Sequence, residues 1–146
     1  MKVIVGGILR KENKLLLVQE AQEKCYGQWN FPAGKLDDGE TIFEGAIREI
    51  FEETGCQVKL TKMLPIISSK ERDIVRITFL TEILEENIHF DPSEILDAKW
   101  IEMEDIKTKY KDALRGPKMM LEMVRQVEEN EVYPLEIVKE LENLEK

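Results

Sequence analysis

Residues 34–56, GKLDDGETIFEGAIREIFEETGC, constrain the fold of this chain most, because they specify both ends of one helix. Thr41 and Glu44 have the spacing of a capping box, in which the hydroxyl and the carboxylate satisfy backbone amides at a helix start. Gly55 can take the left-handed conformation that commonly ends a helix. The sequence therefore predicts a helix over residues 42–54.

The predicted helix has two chemically different faces. The apolar face is formed by Ile42, Phe43, Ala46, Ile47 and Ile50. Another face gathers Glu49, Glu52 and Glu53, which repel one another and lie near the negative end of the helix dipole, at a cost of up to about 1 kcal/mol each. Stability alone would favour Lys or Arg there, so these glutamates predict a cation-binding patch. The alternative is a solvated acidic face that Arg48 and Lys35 partly neutralise.

Composition and charge exclude several classes of partner. The net charge of −9 and the absence of a Lys/Arg cluster argue against nucleic-acid polymers as ligands. A small phosphorylated substrate would also be repelled unless divalent cations neutralised its site. No apolar run approaches the roughly 20 residues that cross a bilayer, so we expect no membrane insertion.

The remaining bulk properties predict a small cytoplasmic enzyme. At 146 residues and 42% hydrophobic content, the chain suits one domain spanning residues 1–146. Cys25 and Cys56 have neither metal-ligand spacing nor the pattern of a disulfide framework, and the N-terminus lacks the features of a signal peptide.

Hydrophobic periodicity predicts strands on both sides of the helix. We expect one hairpin from residues 3–10 and 15–20, and a short extended piece at 29–31. A second hairpin is predicted from residues 57–68 and 73–84, with Pro65 at an edge or a bulge, followed by a strand at 98–102. Helices are predicted at 104–110, 117–129 and 135–144, the last as a short amphipathic closing helix. These elements predict a mixed-sheet α/β sandwich.

Eight residues in and around the helix form a longer motif: Gly34, Glu40, Arg48, Glu49, Ile50, Glu52, Glu53 and Gly55. They fit the pattern G-x5-E-x7-R-E-U-x-E-E-x-G-U, where U is a bulky aliphatic residue. This pattern is the Nudix box, and the chain resembles a Nudix hydrolase. Cys56 replaces the final aliphatic residue, but an unpaired cysteine behaves as a small buried hydrophobe and keeps the packing role.

The resemblance implies a fold and a reaction. The fold would be a Nudix α/β/α sandwich with a mixed β-sheet, the box at residues 34–56, and a C-terminal helical segment at about 117–146. The reaction would be metal-dependent hydrolysis of a pyrophosphate linkage in a small phosphorylated substrate. Mg²⁺, with Mn²⁺ as a possible substitute, prefers the oxygen ligands that such a site offers.

The resemblance also implies roles for individual residues. Glu52 and Glu53 would be the main metal ligands, and Glu49 another ligand or the general base. The carbonyl of Ala33 would be a further ligand, and Arg48 would orient Glu49 or Glu52. The structural positions of the box are Gly34, Glu40 and Gly55.

Residues outside the box are further candidates. Glu94 lies six residues before Trp100, the spacing at which MutT-like members place an extra metal-binding glutamate, although a role in a surface turn would also explain it. Trp29 could stack on a substrate ring or belong to the core. Possible phosphate or base contacts are Lys24, Arg72, Arg76 and Arg115.

Other segments look like the NudJ-type phosphatase subgroup, namely WNFPAG at 29–34, LRGP at 114–117 and YPLE at 133–136. Phe31 and Gly116 depart from that subgroup, which tends to have Gln and Ser there. The subgroup implies nucleoside di- and triphosphates or thiamine-pathway pyrophosphates as substrates. The alternatives are sanitation of oxidised nucleotides and, from another class, a non-catalytic Nudix module that binds a ligand. The oligomeric state, monomer or homodimer, stays open.

Overall fold

A computed structural model describes residues 1–146, in which ten strands and four helices follow one another along the chain. The strands are β1 (Lys2–Ile8), β2 (Arg10–Lys11), β3 (Lys14–Glu20), β4 (Trp29–Asn30), β5 (Ala33–Lys35), β6 (Gln57–Met63), β7 (Ile67–Ser69), β8 (Ile74–Glu85), β9 (Ile95–Glu102) and β10 (Tyr133–Pro134). The helices are α1 (Ile42–Thr54), α2 (Met103–Lys107), α3 (Pro117–Glu128) and α4 (Leu141–Leu144). None of the helices combines the length and the apolar content that crossing a bilayer requires.

The strands form two sheets. The first has the order β10-β6-β8-β1-β5, with β7 also paired to β8, and it is mixed because β1 and β8 run parallel while its other pairs are antiparallel. In the second sheet β3 is the centre, pairing with β2, β4 and β9, all antiparallel. The predicted mixed α/β architecture is confirmed.

Helices cover the sheets on both sides, which explains the continuous apolar run in β3. Leu15 and Leu17 belong to a core that contains Met120 and Met123 of α3. Leu16 points the other way, into a second core with Ile50 of α1. Because successive side chains of a strand alternate between faces, a strand buried on both faces must be apolar throughout.

The first predicted hairpin is wrong in its pairing. Strand β1 does not pair with β3; it lies between β8 and β5 in the first sheet, and only β2 forms the hairpin with β3. Both β1 and β3 are apolar on two faces, so each is an interior strand of its own sheet. The two strands are therefore not paired with each other. The second hairpin is confirmed: β6 and β7 both pair with β8, and Pro65 interrupts the strand between them.

The predicted closing helix over residues 135–144 is also wrong. Leu135–Ile137 is a single 3₁₀ turn, and α4 spans only Leu141–Leu144. Strand β10 pairs with β6 just before this segment, and Leu135 and Val138 pack against the core on the α1 side. Tertiary packing holds these residues against the sheet and overrides the local helical pattern, while Leu141 and Leu144 stay more than half exposed.

Candidate functional site

A cavity of about 1160 Å³ lies beside the C-terminal half of α1 and is lined by 25 residues. Its lining includes an acidic cluster, which we define as Glu49, Glu52 and Glu53. The same cavity is lined by an arginine cluster, defined as Arg72, Arg76 and Arg115. Carboxylates from one helix and guanidinium groups from two distant segments, residues 72–76 and residue 115, therefore share one space.

Helix α1 holds the acidic cluster because both of its ends form as the sequence predicts. The Glu44 amide donates to Thr41 Oγ1 at 3.1 Å, and the Thr41 amide donates to Glu44 Oε1 at 2.9 Å, which completes the capping box. Gly55 has a φ of 79° and its amide donates to the Phe51 carbonyl. These caps fix where α1 begins and ends, while the packing of Ala46 and Ile50 into the core leaves the acidic cluster facing the cavity.

Arg48 is the centre of the ion-pair network on this helix. Its Nε and Nη2 donate to the two carboxylate oxygens of Glu40 at 2.9 and 2.6 Å. Its Nη1 donates to Glu49 at 2.8 Å and to Glu52 at 3.2 Å. The Arg48 hydrogen bonds, together with the Asp37 amide, lower the pKa of Glu40 to about 2. One guanidinium thus ties the loop before the helix to two members of the acidic cluster.

Glu49 and Glu53 are poorly solvated. Burial raises the pKa of Glu49 even though Arg48 opposes the shift. Burial, with the nearby Glu20 and Glu49 carboxylates, raises the pKa of Glu53 well above its ordinary value. Glu53 Oε1 accepts a hydrogen bond from the Ala33 amide at 3.0 Å. A Cβ at position 34 would overlap the Glu49 carboxylate where it now lies, so Gly34 leaves the space that this side chain occupies.

The chemistry of this cluster fits a hard divalent cation. Carboxylate oxygens are the ligands that Mg²⁺ and Mn²⁺ prefer, and a cation would offset the burial and the carboxylate repulsion that together raise the pKa of Glu53. No three acidic, His or Cys side chains are arranged closely enough to hold a metal as they stand. Arg48 instead supplies the counter-charge to Glu49 and Glu52, and the Glu52 side chain, 56% exposed, has room to turn.

Arg76 lies in the floor of the cavity with only 3% of its surface exposed. Its Nη2 donates to Asn30 Oδ1 at 3.3 Å, while its buried Nε has no partner. Burial lowers the pKa of Arg76 to about 10, although the nearby Glu53 opposes this. Asn30 in turn donates to Glu20, whose carboxylate lies 3.8 Å from Arg115. A buried cation with an unused donor is suited to an anionic ligand.

Gly116 makes room for Arg72. Its φ is 71°, and a Cβ at this position would lie 2.8 Å from Arg72 Nη1. The glycine that departs from the NudJ-type pattern therefore has a structural reason here, since a larger residue would displace the guanidinium from the cavity wall.

Trp29 requires a correction as a substrate contact. Its side chain is 7% exposed, belongs to the core on the α3 side and packs edge to face on Tyr110 with the ring centroids 5.7 Å apart. It does not line the cavity, so the core alternative describes it. Glu94 does line the cavity, as does Lys24.

Sequence reasoning missed several cavity residues. Glu20 and Asn30 are buried polar residues in β3 and β4, and a glutamate two residues after the apolar run 15–18 was a usable signal. Phe51, His89 and Phe90 also line the cavity. Nothing in the local pattern around His89 and Phe90 predicts that they meet α1.

Comparison with known proteins places this geometry in a family. The family model for the NUDIX domain matches residues 1–123. A human 8-oxo-dGDP phosphatase is 30% identical over 145 residues, covering 95% of this chain and 43% of the human protein. The phosphatase NudJ of Escherichia coli is 32% identical over 141 residues, covering 93% of this chain and 89% of that protein.

Solved structures agree on the architecture. A NUDIX hydrolase from Nitrosomonas europaea superposes with a TM-score of 0.84 at 26% identity, covering 95% of this chain and 96% of that one. The chain spans about half or less of the length of several curated relatives that it matches.

Proposed function

The chain belongs to the NUDIX domain family, and on that premise we propose that it hydrolyses a phosphoanhydride bond of a small phosphorylated substrate with the help of Mg²⁺ or Mn²⁺. The observation that carries the proposal is the meeting of the acidic cluster and the arginine cluster in one cavity. A cation-binding group beside a phosphate-binding group is what cleavage of a pyrophosphate requires.

We assign the acidic cluster to the metal. Glu52 and Glu53, with the Ala33 carbonyl, would hold the cation, and Glu94, which lines the same cavity, is a further candidate ligand. The cation, when bound, neutralises phosphate oxygens and lowers the pKa of water. Glu49 would accept the proton of the attacking water or serve as another ligand. Arg48 would orient Glu49, to which it donates at 2.8 Å.

We assign the arginine cluster to the phosphates. Arg76 is buried with a free Nε, and Arg72 and Arg115 line the cavity near it. Guanidinium groups bind phosphate oxygens through pairs of hydrogen bonds, and in a buried setting they are screened little by solvent. These residues would bind the substrate and stabilise the charge that leaves with the released phosphate.

Three substrate classes follow from the relatives. NudJ-type similarity favours nucleoside di- and triphosphates or thiamine-pathway pyrophosphates, and the human relative is named for 8-oxo-dGDP. A non-catalytic ligand-binding module is a weaker candidate, because such modules would be expected to lack one or more box carboxylates, and this chain retains all of them.

The test is product-resolved hydrolysis of a panel containing these three classes, with dinucleoside polyphosphates and nucleotide sugars added. Each compound is assayed with Mg²⁺, with Mn²⁺ and with a chelator. Metal-dependent release of phosphate or pyrophosphate from one class is the expected result. No turnover of any compound by the folded protein would overturn the proposal in favour of the ligand-binding module.

Variants sharpen the test. Glu53→Gln is expected to lower kcat/KM by about 10²-fold or more, the size of effect seen when a preorganised charge at the reacting centre is removed. Glu82→Gln is the matched control, because Glu82 is exposed on β8 and does not line the cavity. Equal activity of the two variants would contradict the role given to the acidic cluster.

A further inference from the structure

Three aromatic side chains line the cavity beside the acidic cluster: Phe51, His89 and Phe90. We propose that they form a ring subsite, which binds the flat heteroaromatic ring of the substrate while its phosphates lie between the acidic cluster and the arginine cluster. The inference rests on the proposed function for the identity of the ligand as a ring-bearing phosphate. It assigns to these residues the specificity that Trp29, buried in the core, does not supply.

Phe51 is the first observation. It occupies the unspecified position of the box between Ile50 and Glu52, and its side chain is 42% exposed at the cavity. Single exposed hydrophobic residues are common and need no explanation by themselves. Phe51, however, lines the same cavity as the acidic cluster and is covered only in part, so its ring remains free to contact a ligand.

The second observation is that a distant loop brings two more rings to the same place. The His89 amide donates to the Thr54 carbonyl at 3.0 Å, which ties residues 87–90 to the C-terminal end of α1. The His89 and Phe51 rings pack edge to face, with centroids 6.2 Å apart and an interplanar angle of 69°. Phe90 follows directly and lines the cavity.

Gly55 permits this docking. A Cβ at position 55 would overlap the Asn87 carbonyl oxygen and lie 2.7 Å from the His89 amide nitrogen. The glycine that ends α1 is thus also the surface on which the loop rests. The loop and the acidic cluster are thereby held in one fixed relation to each other.

The arrangement suits a heteroaromatic ring for physical reasons. Edge-to-face packing against His89 engages part of Phe51 and leaves the rest exposed toward the cavity, where a ring could stack. The cavity of about 1160 Å³ exceeds the volume that a typical small ligand requires, so it has room for both phosphates and a ring.

The experiment measures binding, so that it does not depend on turnover. Guanosine monophosphate, thiamine monophosphate and inorganic phosphate are titrated calorimetrically into the wild-type protein, Phe51→Ala and Phe51→Tyr. Phe51→Ala is expected to weaken binding of at least one ring-bearing monophosphate about ten-fold, as for loss of one stacking ring, and to leave inorganic phosphate unchanged. Phe51→Tyr retains a ring and is expected to restore the affinity.

Tyr133→Ala is the matched control, because Tyr133 is 43% exposed and lies outside the cavity. It should change none of the affinities. The inference is overturned if the wild-type protein binds neither ring-bearing monophosphate, if Phe51→Ala binds both as tightly as the wild type, or if it weakens inorganic phosphate equally. Ring-dependent binding without hydrolysis of any compound would contradict the proposed reaction alone. Hydrolysis by the wild type, with Phe51→Ala binding ring-bearing monophosphates as tightly as the wild type, would contradict the ring subsite alone.

Discussion

Replacing Glu53 with glutamine should stabilise the metal-free protein. The Glu53 carboxyl is largely buried near Glu20 and Glu49, and these surroundings raise its pKa well above the ordinary value. Its ionised form is therefore unfavourable in the folded state. A glutamine has nearly the same shape and can still accept the 3.0 Å hydrogen bond from the Ala33 amide through its side-chain oxygen.

The size of the effect follows from the cost of burying an unsatisfied group. Leaving a buried polar group without partners costs about 1–3 kcal/mol, and more when the group is charged. The glutamine introduces an NH₂ group of its own, which offsets part of the gain, so we expect a net gain of about 1–2 kcal/mol. For a chain of this length that corresponds to a rise in Tm of about 2–8 °C.

The pH dependence has a definite sign. Because the folded-state pKa of Glu53 is raised, its ionised form destabilises the protein above that pKa, and the penalty disappears as the pH falls from the folded pKa toward the ordinary 4.5. The advantage of Glu53→Gln over the wild type should therefore be largest at neutral pH or above and should shrink on acidification.

The assay is thermal unfolding, followed by circular dichroism in chelator between pH 5 and 8. Glu52→Gln is the matched control: the side chain is 56% exposed and its ion pair with Arg48 is a surface contact, so its effect should stay within about 0.5 kcal/mol. Mg²⁺ added at 100 times its Kd for the wild type should stabilise the wild type by about 2.7 kcal/mol. The same concentration should stabilise Glu53→Gln by much less. The reasoning is refuted if Glu53→Gln is no more stable than Glu52→Gln without metal.

Three further predictions follow from the structure. Gly55→Ala should lower the free energy of unfolding in urea by at least about 1 kcal/mol more than Gly39→Ala does. Both glycines have a left-handed φ, but only Gly55 has neighbours that a Cβ would meet. Equal losses in the two variants would contradict the docking role of Gly55. The lowered pKa of Glu40 provides stability that is present above pH 4.5 and lost as the pH falls to about 2. The Tm of Glu40→Gln should therefore decrease less than that of the wild type between pH 4.5 and 2. An equal decrease in both proteins would count against the pairing of Glu40 with Arg48. Trp29→Ala should lower the free energy of unfolding in urea by about 3–5 kcal/mol, because Trp29 is a buried core residue. The milder Trp29→Phe should lower Tm and leave KM unchanged. A raised KM in Trp29→Phe would indicate that Trp29 contacts the substrate.

Local interactions explain why the helix could be predicted so closely. The capping box of Thr41 and Glu44 and the left-handed Gly55 all act within a few residues of the helix ends, and α1 begins and ends where they predict. The acidic cluster followed from helical spacing alone. The pairing of β1 could not be predicted in this way, because strand partners are chosen by burial on both faces and β1 joins a strand more than sixty residues away.

The cavity shows the same division between local and distant interactions. Arg76 was a candidate by residue type, yet its burial and its hydrogen bond to Asn30 depend on two segments that are 46 residues apart in sequence. Trp29 could stack or pack by its chemistry, and only the position of Tyr110 decides for packing. The meeting of His89 with Phe51 likewise depends on how the 87–90 loop docks.

The sequence by itself determined the family, the mixed α/β architecture, the ends of α1 and the residues of the acidic cluster, because each is encoded in short spacings that a helix or a motif makes meaningful. Only the tertiary structure decided which arginine side chains share the cavity with those carboxylates, which aromatic residues reach it and how the strands are ordered. Those outcomes depend on contacts between residues far apart in the chain, where burial and charge are set jointly by several elements and by no single segment.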